Sequence, residues 1–195
     1  DTNKGCYIAN SLQKDKKNPL YTKNTAVVVA RLVYVKNPFF ILNLIRITPA
    51  IDKVIWFGDG DLMSKMKIKI KEMDLDDRVV LMGNCNRREV YEALRNSMIY
   101  LSASRWEGLG VANIEALFFG CKLFISSIPA HNEIANIVNI PTYDLHHINK
   151  WSKAISSYLE LDPKDSEKYS KDIKTISREK FSMKLTVKAH IDQYK

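Results

Sequence analysis

Apolar positions along the chain fall into short blocks, and two periods alternate. Residues 26–32 (AVVVARL) form a nearly unbroken β-branched run, the mark of a strand buried on both faces. Asn37 and Pro38 then supply an N-cap and a first-turn proline, predicting a helix over 39–47 that ends before Pro49. The pattern repeats with strands at 53–57 (KVIWF) and 78–82 (RVVLM). Residues 65–71 (KMKIKIK) alternate like a strand, yet Leu62, Met66, Ile70 and Met73 share one helical face. Lys, Met and Glu favour helix, so a helix over 61–73 is expected, with its lysine row in solvent.

Asn86, with Glu89 three residues on, is a capping-box signal for a helix through Asn96. Strands follow at 98–102 and 121–125, and Gly120 closes the helix between them. Pro129 starts a short helix to about Ala135, and 138–140 (VNI) reads as a last short strand. Trp151, Ala154, Ile155, Tyr158 and Leu159 lie on one face of an amphipathic helix. Asp162 and Pro163 cap another helix to about Lys180, and a further helical segment is expected beyond it. Residues 1–24 are polar and lysine-rich around 6–9 (CYIA), and read as a short strand and a connector from a preceding domain.

Strand–helix alternation with short connections predicts an α/β fold: an open parallel sheet with helices on both faces. Ligands of such sheets bind beyond the carboxyl ends of the strands. The loops on that edge are 31–37, 58–61, 83–86, 103–110 and 126–130, and the chemically informative residues fall within them.

Composition changes the picture in three ways. With 195 residues, 46% hydrophobic and 27% charged, the chain can bury a sizeable core, and one domain over 25–195 is expected. Three cysteines (Cys6, Cys85, Cys121) make no closed disulfide framework or zinc-ligand spacing, pointing to a reducing, cytosolic setting. A net charge of +8 points to an acidic partner: nucleotide, nucleic acid, anionic lipid or anionic polymer. The basic stretch 14–17 reads as a solvated connector, with peripheral contact to anionic lipid at the inner membrane face as the minority reading.

The candidate chemistry centres on 104–120. Glu107 falls in a glycine-rich turn, and Glu115 lies one turn into the helix that follows. Gly108 and Gly110 keep side chains away, so the amides that open the helix face outward and attract an anion. Arg31 leaves the first strand, and Lys36 precedes the next helix. Singly they read as a strand-end charge and a surface lysine. Together with the glycine turn they form a site for a diphosphate, since guanidinium grips phosphate oxygens bidentately.

Residues 107–115 (EGLGVANIE) resemble the E-x7-E signature of retaining glycosyltransferases of the family 4 type, usually written S-x-x-E-G-F-G-x-x-x-x-E-A. Segments 30–37 (ARLVYVKN), 58–62 (GDGDL), 78–83 (RVVLMG) and 128–134 (IPAHNEI) agree in order and spacing. The resemblance covers about residues 26–135 and implies the C-terminal, donor-binding half of a GT-B fold, Rossmann-like in architecture. It implies that Arg31 and Lys36 bind the nucleotide diphosphate, Glu115 the ribose hydroxyls and Glu107 the donor sugar, as nucleophile or as orienting group. Backbone amides of Gly108, Leu109, Gly110 and Val111 would contact the phosphates, and the loop holding Asn84 would lie along the base. The implied donor is a UDP-sugar, the implied partner an N-terminal acceptor domain absent from this sequence, and the implied acceptor a polysaccharide or a lipid-linked sugar. The chain alone is therefore expected to be inactive.

Ala30 departs from the family's usual glycine, and Cys121 from a common threonine. With so much fixed positive charge no metal is required, and Asp59-Gly60-Asp61 reads as a capped turn rather than a metal motif. His131 reads as a capping or packing residue and His146–His147 as non-ligands, while Trp106 either lines the pocket or covers the sheet edge. Two other readings are a basic nucleic-acid- or anion-binding module and a scaffold without activity. No nucleic-acid motif supports the first, and retention of Arg31, Lys36 and both glutamates opposes the second.

Overall fold

The computed structural model describes residues 24–181 together with Tyr21. The expected strand at 6–9, the connector and the final helical segment lie outside them. Five strands, β1 (Thr25–Val29), β2 (Lys53–Phe57), β3 (Val79–Gly83), β4 (Ile99–Ser102) and β5 (Lys122–Ile125), form one all-parallel sheet in the order β3-β2-β1-β4-β5. Among the described residues seven α-helices connect and cover it: α1 (Pro38–Ile47), α2 (Met63–Glu72), α3 (Arg87–Arg95), α4 (Val111–Phe119), α5 (Pro129–Val138), α6 (Ile148–Leu159) and α7 (Pro163–Lys180). The chain order reverses between β1 and β4, so a crevice opens where their two loops diverge.

The unbroken apolar runs make sense because both faces are buried. Ala26, Val28, Val54, Trp56 and Leu101 pack one way, against Ile41 and Ile45 of α1, Met66 of α2 and Trp151 of α6. Their neighbours Val27, Ile55, Tyr100 and Leu123 pack the other way, against Leu94 of α3, Leu117 of α4, Ile134 of α5 and Ile173 of α7. Period-two alternation assigns successive side chains to opposite helix layers.

The capping box of α3 forms as expected. The Glu89 amide donates to Asn86 Oδ1 at 3.1 Å, and the Asn86 amide to Glu89 Oε2 at 2.9 Å. Asp162 caps α7 by accepting from the Lys164 amide. The four lysines of α2 are exposed, and the helix spans Met63–Glu72.

Four expectations need correction. The first strand stops at Val29, and residues 30–32 instead stitch to the end of β2 and the loop after it. The Ala30 amide donates to the Phe57 carbonyl, Trp56 Nε1 to the Ala30 carbonyl, and the Leu32 amide to the Asp59 carbonyl. Leu32 is buried without belonging to the strand, which is why hydrophobicity overran the boundary. Residues 138–140 form no strand. Ile134, Ala135 and Val138 are core residues of α5, which runs one turn further than expected and closes on Asn139 at φ 54°. Asn37 stands at the N-cap of α1 in the left-handed region without capping it, and its Oδ1 accepts from Arg105 at 3.3 Å. Asp61 does not cap α2: Leu62 precedes the helix, its amide bound to the Leu32 carbonyl, while Asp59 Oδ1 accepts from the Gly60 amide.

Candidate functional site

A cavity of about 510 Å³ opens at the carboxyl ends of β1 and β4. Val29, Phe57 and Tyr100 form part of its wall from the sheet, and residues from the loops after β1, β2, β3 and β4, with Val90 of α3 and the first turn of α4, complete it. Of the sequence-derived site residues, Arg31, Lys36, Asn84, Glu107, Leu109, Gly110 and Val111 line it. Gly108 and Glu115 are not among the lining residues, so the two carboxylates do not share this cavity.

Arg31 follows β1, and its side chain is exposed; its guanidinium makes no hydrogen bond or ion pair to any described residue. Lys36 closes a 3₁₀ turn (Tyr34–Lys36) and sets its ammonium 2.6 Å from Glu107 Oε1. The same oxygen accepts from Ser104 Oγ at 2.7 Å. Three residues after Glu107, Gly110 stands at φ 66° as the N-cap of α4, with no side chain bonded to the helix start. The left-handed backbone suits glycine, and a Cβ there would meet Asn113 Nδ2 at 2.8 Å. The Asn113 amide donates to the Gly110 carbonyl at 2.9 Å, while the amides of Val111 and Ala112, both lining the cavity, have no acceptor among the described residues. Two cations and an uncapped helix start lining one cavity suit an anion with several oxygens.

Glu115 faces α3. Its Oε1 accepts from Arg87 Nη2 at 2.9 Å and from the Tyr91 hydroxyl at 3.0 Å. The hydrogen bond to Glu115 raises the Arg87 pKa, and that of Tyr91 is raised by burial and by the same carboxylate. Neither partner carried a sequence signal, because a contact between consecutive helix faces leaves no fixed spacing. Asn113 was missed as well: it lines the cavity, is 2% exposed, and its Nδ2 is buried without a hydrogen-bond partner.

Trp106 is 68% exposed and is not among the lining residues. His131, at the start of α5, is fully buried as a packing residue, its Nδ1 3.0 Å from both the hydroxyl and the carbonyl oxygen of Ser126. Burial lowers its pKa below 6.5, against the opposing pull of the Ser126 hydrogen bond and Glu107. The native state thus binds its proton less readily than the unfolded chain. Its share of stability is complete above pH 6.5 and drains away as pH falls toward the lowered value. Thermal melts between pH 7.5 and 5.5 are expected to show a steeper decline in the native protein than in His131→Gln, and equal slopes would remove His131 as the cause.

An open parallel sheet with a cavity at its switch point, lined by Arg31 and Lys36, defines a Rossmann-like α/β domain. The chain belongs to the family Glycosyl transferases group 1, which it matches over residues 10–178. It is 28% identical over 155 residues to the poly(glycerol-phosphate) alpha-glucosyltransferase of Bacillus subtilis (strain 168), an alignment covering 76% of this chain and 22% of the relative. It is 27% identical over 118 residues to the UDP-Gal:alpha-D-GlcNAc-diphosphoundecaprenol alpha-1,3-galactosyltransferase of Escherichia coli, covering 60% and 26%. The chain thus spans about a quarter of the length of these relatives. Among solved structures it superposes on Staphylococcus aureus TarM bound to fondaparinux, alpha-GlcNAc-glycerol and UDP (TM-score 0.76, 18% identity, 88% of this chain and 36% of that one). Anabaena HepE with UDP-glucose gives TM-score 0.75 at 16% identity, with 88% and 48% covered. The fold is that of GT-B glycosyltransferases. Among the described residues no helix is long and apolar enough to cross a membrane.

Proposed function

We propose that this chain is the donor-binding part of a retaining glycosyltransferase of the family 4 type, holding a nucleotide-diphospho-sugar for transfer to a polysaccharide or lipid-linked acceptor. The observation that carries this reading is the cavity itself, which Arg31, Lys36 and the uncapped start of α4 line together. In this reading the diphosphate is held by those three groups, the sugar reaches Glu107, and the ribose turns toward Glu115. UDP is the proposed nucleotide, as in the TarM and HepE complexes.

The chemistry follows from charge. Cleaving the bond from sugar to diphosphate builds negative charge on the leaving group, and fixed cations with oriented amides stabilise it. A divalent metal has no part in this reading. The proposed second domain brings the acceptor to the open edge of the sheet, at the cytoplasmic side of a membrane, and the chain alone is expected to bind donor without transferring sugar.

Thermal shift with UDP, GDP, ADP and a single-stranded oligonucleotide tests the reading. At about 100 times the dissociation constant a ligand adds roughly 2.7 kcal/mol, a readily measured rise. The expected outcome is a rise with UDP, unchanged by excess EDTA, and none with the oligonucleotide. No response to any nucleoside diphosphate would overturn the reading.

A further inference from the structure

Glu107 is held from two sides by groups of different character. Lys36 is a point charge, three N–H donors on an unbranched four-carbon stem, and it holds Glu107 only through that charge. Ser104 is neutral, 1% exposed, and built into the fold: its carbonyl accepts from the Ser126 hydroxyl, and Ser126 lies against His131 Nδ1. The Ser102 hydroxyl, 3.4 Å from that of Ser104, lies within the same buried group. Both grips fall on Oε1, and Oε2 makes no hydrogen bond to any described residue.

A diphosphate entering the cavity brings negative charge to within reach of Lys36 and competes with Glu107 for it. The ammonium is then shared or drawn off, and the carboxylate is pushed by a new anion nearby. Ser104 is untouched by that exchange, because it carries no charge and its anchors are buried behind the cavity wall.

Resting on the donor reading above, we infer that Ser104 is a positioning residue: it keeps Glu107 aimed at the donor sugar when the arriving diphosphate takes Lys36 away. The Lys36–Glu107 ion pair is the contact for which the diphosphate competes. Sugar recognition, through the free Oε2, is therefore decoupled from phosphate recognition by one buried hydroxyl. The serine chain from His131 through Ser126 to Ser104 serves to fix that hydroxyl.

Calorimetric titration of UDP, UDP-glucose and UDP-N-acetylglucosamine into the wild type, Ser104→Ala, Glu107→Gln and the double variant tests the role. The wild type is expected to bind one UDP-sugar more tightly than UDP. Ser104→Ala is expected to keep the UDP affinity and to lose roughly tenfold of the sugar-dependent gain, the scale of a hydrogen bond to a charged group. Glu107→Gln is expected to lose the same gain, with no further loss in the double variant, because the two act as one unit. Ser104→Cys, nearly the same size with a weak S–H donor, is expected to fall between, and carries the test should the alanine variant fail to fold. An intact sugar gain in Ser104→Ala, or equal losses for UDP and UDP-sugar, overturns the positioning role and leaves the donor reading standing. A wild type that binds UDP without any sugar gain also overturns the positioning role. A wild type that binds none of the three overturns both.

Discussion

Arg31→Ala is expected to weaken UDP binding by about 1.5–3 kcal/mol, roughly ten- to 150-fold in the dissociation constant, with the fold intact. The asymmetry follows from where the side chain sits. Arg31 lies just past β1, lines the cavity, and is exposed, with its guanidinium unengaged by the described residues. Nothing in the core depends on it, so stability is expected to change by no more than about 0.5 kcal/mol. The proposed diphosphate would supply the partner it lacks, through a planar, bidentate grip. Arg31→Lys keeps the charge and loses the fork, so it is expected to recover only part of the affinity. Titration calorimetry beside a thermal melt separates the two effects. Wild-type affinity in the alanine variant would remove Arg31 from the site.

The largest effect on stability is expected at a glycine. Gly58 holds φ 129°, a region that side-chain-bearing residues rarely adopt, and a Cβ there would overlap the carbonyl of Ala30. That carbonyl cannot retreat. It accepts from Trp56 Nε1 at 2.9 Å, and the Ala30 amide donates to Phe57 at 2.9 Å. Backbone strain and overlap together are expected to cost Gly58→Ala about 3–5 kcal/mol, or about 6–20 °C in Tm. Because Arg31 follows Ala30 directly, UDP binding is expected to suffer as well. Gly108→Ala is the matched control: a Cβ there meets nothing within 4 Å and its φ is not positive. Its Tm is expected to stay within about 2 °C of the wild type. Equal losses in both variants would show that the turn after β2 is not the constraint described.

These two sites also show what a sequence can carry. The five strands were legible because burial on both faces leaves short, nearly unbroken apolar runs, and the capping box of α3 because its two residues have a fixed spacing. The order of loops along the sheet edge then brought Arg31, Lys36, Asn84 and the 107–111 turn to one cavity. Contacts that cross between elements were not legible. The Arg87 and Tyr91 grip on Glu115 joins residues 28 and 24 positions apart, and no periodicity marks it. The burial of Leu32 imitated strand, and β-branched residues at 137–140 imitated another, though α5 uses Val138 as a core position. Hydrophobicity reports what is buried, while hydrogen bonding decides which element buries it.

The central claim is that a pyrophosphate lies between the cations after β1 and the first turn of α4. Backbone amide shifts recorded by NMR during titration with UDP test it most directly. Saturable changes are expected at Arg31, Lys36 and the amides of Val111 and Ala112, all abolished or weakened in Arg31→Ala. Changes confined to other surfaces, or a Val111–Ala112 turn that does not respond to saturating UDP, would contradict it.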